Sequence, residues 1–138
     1  DLIALGISSI GKVGPTYSQN VKTLDEYYDA IDGHKLPIMR GLELTADDLL
    51  RRAIIQALMC HFEISYESLE IAYLIDFKNY FKEEIELLRD YEKEGLLTLG
   101  EQSMTVLPKG RLLIRTICMT FDKYLRQEQE RQRYSKVI

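Results

Sequence analysis

Arginine is the residue type whose spacing in this sequence best suits a binding function. Arg111 and Arg115 are four residues apart in an apolar helical pattern, so one continuous helix would place both on the same face. Arg51 and Arg52 fall in an early turn of another predicted helix, where the helix dipole disfavours cations, and they are therefore expected to have anionic partners. Because the planar guanidinium binds carboxylates through paired hydrogen bonds, these four arginines are candidates for contacts to a polycarboxylate substrate.

The alternative is that these arginines form ion pairs. The partners would be acidic groups of another domain or, within this domain, Asp47, Asp48, Glu43 or Asp122. Ion pairs at protein surfaces are common and individually weak, so pairing within the domain is the interpretation that the sequence favours.

The sequence offers no convincing motif for metal binding, nucleophilic catalysis or nucleotide binding. Cys60 and His61 are adjacent, but neighbours on a helix point about 100° apart and a zinc site needs about four ligands. We therefore predict a core cysteine beside a partly exposed histidine, and no metal site. His34 lies in a loop and is expected to be solvated. The sequence shows no Ser-His-Asp grouping, phosphate-binding loop or dinucleotide-binding glycine pattern.

The charge balance disfavours nucleic acid and membrane partners. Lys and Arg number 18 against 22 Asp and Glu, a formal charge of -4, so no overall positive field attracts polyanions. Nothing resembles a signal peptide or a run of about 20 apolar residues. The two cysteines lie in apolar helical patterns, and the expected location is the reducing cytoplasm.

The first part of the chain combines a strand, a glycine-rich loop and a helix. Residues 1–6 form an apolar, strand-like run, Gly6, Gly11 and Gly14 predict a loop with special backbone angles, and a helix of about three turns follows from Val21 to near Gly33. A short extended segment over 36–44 then leads to the main body. The opening strand has nothing before it, which predicts a chain cut from something longer.

The second part predicts a mainly helical domain with a small β-hairpin. Thr45 and Asp48 have capping-box spacing for a helix over 46–61, Ser65 caps a second helix to Tyr73, and a third runs from about 79 to 94 and ends at Gly95. Runs at 96–99 and 104–107 predict the hairpin, and one long helix should run from Pro108 to about Gln132. This order is winged-helix-like. The acidic third helix, however, argues against DNA binding.

Several blocks of the sequence are those of one enzyme family. Leu5-Gly-Ile-Ser-Ser-Ile10, Tyr17-Ser-Gln-Asn20 and Tyr27-Tyr28 resemble the end of the radical domain in oxygen-independent coproporphyrinogen III oxidases. The family's C-terminal domain is resembled by the remaining blocks: Arg51-Arg52, Leu58-Met-Cys60, Lys109-Gly-Arg-Leu-Leu-Ile-Arg115, Ile117-Cys-Met119, Phe121-Asp122, Tyr124-Leu-Arg126 and Ser135-Lys-Val-Ile138. The resemblance implies two parts, residues 1–32 from the radical S-adenosylmethionine (SAM) barrel and residues 33–138 as a winged-helix-like C-terminal domain.

The resemblance also implies an activity for the parent protein. Such enzymes convert two propionates of coproporphyrinogen III to vinyl groups with release of carbon dioxide, giving protoporphyrinogen IX, and use a 4Fe-4S cluster with SAM. The family's Cys-x3-Cys-x2-Cys cluster loop is missing from this sequence, so the chain is expected to be inactive alone and to bind neither cofactor. The resemblance places Gly6, Ile7, Ser8 and Ile10 near SAM and the substrate, although plain barrel packing is an equal alternative for them.

The expected partners are the radical barrel of the same chain, on which the C-terminal domain would act as a lid, and coproporphyrinogen III. A related haem chaperone is a near alternative, although such relatives generally differ at the C-terminal end. A stand-alone winged-helix interaction module is another, but it would not need the opening strand and the glycine loop.

Overall fold

A computed structural model of the protein describes residues 1–128. About half of these residues are helical, and two small antiparallel sheets accompany the helices. The chain divides into two compact units, Asp1–Leu49 and Leu50 onward. The predicted boundary between the barrel part and the C-terminal domain, at residue 32, is different from this division and stays a prediction.

The first unit is a three-stranded sheet with one helix. Its elements are β1 (Ile10–Val13), β2 (Thr16–Asn20), α1 (Leu24–Asp32) and β3 (Ile38–Glu43), and the strand order is β1-β2-β3. Val13 pairs with Thr16, so Gly14 and Pro15 alone make the turn, and Gly14 supplies the positive φ of 55° that a tight hairpin needs. The helix begins where Thr23 caps the N–H of Glu26.

The prediction of a strand over residues 1–6 is wrong. Leu2 makes only an isolated bridge to Lys12, and the first regular strand begins at Ile10. Gly6 and Ser8 adopt φ values of 89° and 58°, which turn the chain before a ladder can extend. The prediction of a single small hairpin also understated the β content, because residues 10–20 pair with each other and with β3.

The second unit contains helices around a smaller sheet. Helix α2 (Ala46–His61) starts in the first unit and continues into the second, where it is followed by β4 (Glu63–Ser65), α3 (Tyr66–Tyr73), α4 (Phe77–Tyr80), α5 (Lys82–Lys93), β5 (Leu97–Leu99) and β6 (Ser103–Val106). The strand order is β4-β6-β5. The predicted helix over 46–61, the helix that Ser65 caps and the hairpin are all confirmed. Thr45 and Asp48 cap α2 reciprocally through 2.9 and 3.2 Å hydrogen bonds.

The predicted third helix is divided at Phe81, whose φ of -103° and ψ of 30° end α4 and precede α5. The ring of Phe81 is fully buried and lies 5.0 Å from Phe77 and 5.6 Å from Phe121. Packing of this ring accompanies the local departure from helical geometry. Gly95, with a φ of 70°, ends α5 as the sequence predicts.

The prediction of a single long final helix is wrong. The chain instead forms α6 (Pro108–Arg111) and α7 (Ile114–Met119), and it is helical again from 123 to 128. Gly110 is buried so close to β5 that an added Cβ would lie 2.0 Å from the Leu96 carbonyl oxygen. The last helical segment starts where Asp122 accepts the N–H groups of Tyr124 and Leu125. The predicted extension to Gln132 and the Ser135–Ile138 block lie outside the described residues.

The hydrophobic core of the described residues belongs to the second unit. Its largest fully buried side chains are those of Phe77, Phe81, Phe121, Ile54, Leu58, Leu88, Leu97, Met104, Ile117 and Val106. Cys118 joins this core, whereas Cys60 and His61 are exposed, so the prediction of a core position for Cys60 is wrong.

Candidate functional site

The Gly6–Ile10 segment, which carries the predicted SAM-side residues, is a loop fixed by hydrogen bonds from one neighbouring side chain. Asn20 is only 2% exposed, and its Nδ2 donates to the carbonyl oxygens of Gly6 (2.9 Å) and Ala4 (3.4 Å). Because a buried amide without partners is costly, these bonds hold both the asparagine and the loop in place.

The hydroxyl of a second side chain and a backbone carbonyl also hold the loop. The Gly6 N–H donates to the Tyr27 hydroxyl at 3.1 Å, and the Ser8 N–H donates to the Val21 carbonyl at 2.8 Å. Gly6, Ile7, Ser8 and Ile10 are thereby held on one short segment. The side chains of Ile7, Ser8 and Ile10 point outward and are exposed. This surface can offer apolar contacts and backbone groups to a ligand, but no titrating group.

Asn20 and Tyr27 are the supports that residue-by-residue reasoning missed. Both stand in blocks that resemble the enzyme family, yet neither was assigned a contact. The available signal was an asparagine at the end of a strand that follows a glycine-rich loop, since asparagine readily bonds to nearby backbone.

Arg51, one of the four candidate arginines, lies in a buried ion cluster of the second unit. Its Nη1 lies 2.8 Å from Glu84 Oε1 and donates to the Phe121 carbonyl at 3.2 Å. The guanidinium also lies 5.2 Å from the centroid of the Phe81 ring. Arg126 Nη1 approaches the same Glu84 oxygen at 3.2 Å. The side chains of Arg51 and Glu84 are 14% and 3% exposed, so this carboxylate lies between two guanidinium groups and away from solvent.

Glu84, one carboxylate that pairs with Arg51, was not among the partners that the sequence suggested. Glu84 belongs to the predicted acidic third helix, and it is buried at the start of α5. It lies 33 residues from Arg51. Arg52 is partly buried in α2. Whether Arg51 or Arg52 contacts a substrate in a larger protein stays a prediction.

Arg111 and Arg115 are both exposed but do not share one helix. Arg111 ends α6 and Arg115 lies in α7, with a turn at Leu112 and Leu113 between them. The Arg111 guanidinium lies 4.6 Å from the centroid of the Phe62 ring, while the Arg115 side chain has no hydrogen-bond or ion-pair partner among residues 1–128. Leu112 is 90% exposed. Two cations beside an exposed apolar turn suit a ligand that joins an apolar ring to carboxylates.

Two further features concern metals and membranes. Across residues 1–128, no group of three or more His, Cys, Asp or Glu side chains is arranged to hold a metal ion. None of the helices in that range is long and apolar enough to cross a membrane.

About half of the chain matches the model of a known domain family. Residues 44–113 match the model of the HemN C-terminal domain, which covers half of the chain. The chain therefore belongs to the HemN C-terminal domain family.

Relatives named oxygen-independent coproporphyrinogen III oxidase extend the similarity to the whole chain. The protein from Escherichia coli K12 is 43% identical and that from Pseudomonas aeruginosa 44% identical, each over 138 residues that are 100% of this chain and 30% of the relative. A solved structure described as "Coproporphyrinogen III oxidase (HemN) from Escherichia coli is a Radical SAM enzyme" matches with a TM-score of 0.83 and 42% identity. That match covers 87% of this chain and 28% of the other. The chain thus spans under a third of the length of the relatives it matches.

Proposed function

We propose that this chain is the C-terminal part of an oxygen-independent coproporphyrinogen III oxidase. The parent protein would oxidatively decarboxylate two propionates of coproporphyrinogen III to vinyl groups, giving protoporphyrinogen IX in haem biosynthesis in the cytoplasm. The observation that carries the proposal is the 43% identity to the Escherichia coli relative across all 138 residues, which includes both units rather than the C-terminal domain alone.

The cofactors of such a parent are a 4Fe-4S cluster and SAM, which supply the radical. The cluster does not fit the described residues, since no suitable set of ligands is present in 1–128. Its ligands would come from another part of the parent. The Gly6–Ile10 loop suits a nucleoside better, because Ile7 and Ile10 expose apolar side chains beside polar backbone groups. Gly6, Ile7, Ser8 and Ile10 are therefore proposed to lie near SAM or the substrate.

Residues 1–32 are proposed to complete the edge of the radical barrel, with the C-terminal domain starting at residue 33. The first unit contributes nothing to the hydrophobic core cluster, and many of its large apolar side chains are exposed, among them Leu2, Ile3, Leu5, Ile10, Val13, Leu24, Tyr28 and Ile31. Exposed apolar surface on this scale is typical of a face that another segment covers. The covering segment would be the rest of the barrel.

The second unit is proposed to be winged-helix-like and to act as a lid. Its order supports this topology, with α2, α3 and the α4–α5 pair followed by the β5–β6 hairpin, and with β4 paired to β6. A lid would exclude water from a radical intermediate. Without the barrel the chain would be inactive, and neither nucleic acid nor a membrane would be a partner.

Arg111 and Arg115 are proposed to hold substrate propionates. Both are exposed, and the apolar turn between them can lie against a tetrapyrrole while the guanidinium groups bind its carboxylates. Arg51 is a weaker candidate because its guanidinium group is already paired with Glu84.

The test is a fluorescence titration of the 138-residue chain with coproporphyrin III at two salt concentrations. Saturable binding that weakens with salt is expected, as is loss of binding in the Arg111→Ala/Arg115→Ala variant. Lys35→Ala/Lys93→Ala removes the same charge elsewhere and should leave binding intact. Binding that is equal in all three proteins would contradict the arginine contacts. Absence of binding in the unaltered chain would leave only the lid role.

A further inference from the structure

The second unit contains a second polar site. Its residues precede Arg111 and Arg115 in the sequence. It is a cleft of about 330 Å³ whose lining includes Tyr66 of α3, Lys78 of α4, and Lys82, Glu86, Arg89 and Glu92 of α5. We call it the Tyr66 cleft. Its volume is at the lower end of the range for small-molecule sites.

The lining of the Tyr66 cleft includes a tyrosine whose hydroxyl lacks a partner. Tyr66 is only 5% exposed, and its ring is stacked on Phe77 at 4.4 Å with an interplanar angle of 15°. Within residues 1–128 its hydroxyl makes no hydrogen bond. Burial, aided by the Glu92 charge, raises the Tyr66 pKa, so the hydroxyl remains a hydrogen-bond donor at neutral pH. The hydroxyl is not one of the fully enclosed polar atoms without a partner, so it reaches solvent and can donate to a ligand.

Two lysines of the cleft also lack carboxylate partners. Of the carboxylates in the lining, Glu86 is paired with Arg89 at 3.0 Å, and Glu92 Oε1 accepts the Leu99 N–H at 2.7 Å. Among the described residues, neither Lys78 nor Lys82 forms an ion pair. Lys78 Nζ instead lies 5.9 Å from the centroid of the Tyr66 ring. With Lys78, Lys82 and Arg89 against Glu86 and Glu92, the cleft has a net charge of +1 on a chain whose formal charge is -4.

We infer that the Tyr66 cleft binds the oxyanion of a small molecule, a phosphate or a carboxylate. Lys78 and Lys82 would supply the positive charge and the Tyr66 hydroxyl a directed hydrogen bond. This site is independent of the proposed propionate contacts, because none of its residues is among the candidate arginines.

A neighbouring cleft sets the orientation of such a ligand. It shares Tyr66 and Lys78 with the first, but its other charged lining residues are acidic, namely Glu67, Glu70, Asp76 and Glu101. An oxyanion would be repelled there. The anionic group is therefore expected on the Lys82 side of Tyr66.

The experiment is a two-dimensional NMR titration of the 138-residue chain with inorganic phosphate and, separately, with acetate, each compared with sodium chloride at equal ionic strength. Saturable shifts are expected at the amides of Tyr66, Lys78, Lys82 and Gly100 with at least one oxyanion, and the arm that saturates identifies the class. Shifts that match those of chloride in both arms would overturn the inference.

Variants of the lining residues identify the groups that bind. Lys78→Gln/Lys82→Gln should weaken binding by about tenfold or more, because two charge-assisted contacts are lost. Tyr66→Phe keeps the stacked ring and should weaken binding by about three- to tenfold through loss of one hydrogen bond. Lys93→Gln, on the same helix but outside the cleft, should bind like the unaltered chain. Saturable binding that survives the double lysine substitution would also overturn the inference, whatever the outcome with coproporphyrin.

Discussion

Arg51 of α2 and Glu84 of α5 form an ion pair at 2.8 Å in which both side chains are almost wholly removed from solvent. The pair is held further by the Phe121 carbonyl, which accepts from Arg51, and by Arg126, which approaches the same carboxylate oxygen. Residues from α2, from α5 and from the last part of the described chain therefore meet at one carboxylate. A buried charge is tolerated only when it is paired in this way.

Removal of this carboxylate should strongly destabilise the second unit. Glu84→Gln keeps the side-chain volume but removes the buried charge that Arg51 and Arg126 share, although Arg126 keeps its 3.4 Å contact to Glu83. The expected loss in free energy of unfolding is about 3–5 kcal/mol. Urea denaturation followed by circular dichroism measures it. Glu86→Gln, which breaks the exposed pair with Arg89, should cost less than about 1 kcal/mol. Equal losses in free energy of unfolding in the two variants would show that the buried ion cluster stabilises the fold no more than an exposed ion pair does.

Gly110→Ala should prevent α6 from packing. The added Cβ would lie 2.0 Å from the Leu96 carbonyl oxygen and 3.0 Å from a Val106 methyl group, so the backbone has to move. We expect a loss of about 3 kcal/mol or more, at the upper end for overpacked sites. Gly95→Ala is the comparison, because its Cβ meets open space and only the positive φ of 70° opposes it. That variant should lose about 1–2 kcal/mol, and a larger effect at Gly95 than at Gly110 would contradict the close contact.

The two cysteines should differ sharply in reactivity. Burial raises the pKa of the Cys118 thiol to about 11, whereas Cys60 is exposed. Since the thiolate is the reactive form, one equivalent of a thiol reagent should react quickly at pH 8 and the second only on unfolding. Mass spectrometry of tryptic peptides assigns the site, and Cys60→Ser should abolish the fast phase. Rapid labelling of Cys118 in the folded chain would show that it is not buried.

The same burial gives stability a pH dependence at alkaline pH. The folded-state pKa of Cys118 is raised, so over the range from its unfolded value up to about 11 the unfolded chain binds fewer protons. Stability should therefore fall as the pH rises through this range, and it should fall less steeply in Cys118→Ala. Urea midpoints measured from pH 8 to 10.5 provide the comparison, and parallel curves for the two proteins would refute the effect.

Asn20→Ala should loosen the Gly6–Ile10 loop. It removes the hydrogen bonds to the Gly6 and Ala4 carbonyls, and amide exchange in residues 6–10 is expected to accelerate about tenfold, in line with about 1–1.5 kcal/mol for such bonds. Hydrogen–deuterium exchange with mass spectrometry measures the rate. Thr16→Ala, at an exposed position of the same strand, is the control. Unchanged exchange in Asn20→Ala would mean that the Tyr27 hydroxyl and the backbone hydrogen bonds are enough to fix the loop.

Local patterns predicted most elements of the second unit and few of the first. The capping pair Thr45 and Asp48, the cap at Ser65 and the glycine at 95 act over three or four residues, so their effect can be read directly from spacing. The strands β1 and β2, with the sequences IGKV and TYSQN, carry no alternating apolar pattern, so their pairing could not be predicted from periodicity. Residues 1–6 are apolar enough for a strand, but they lack a ladder partner.

The sequence by itself determined the family, the positions of α2 and α3 and the four candidate arginines. Tertiary structure alone decided which of these arginines are accessible. Burial depends on residues far apart in the chain, as Arg51 and Glu84 are, and Gly110 lies against Leu96 only after α5, β5 and β6 have folded back. For the same reason, only the folded unit shows that Tyr66 lines a cleft, since its lining residues come from α3, α4 and α5.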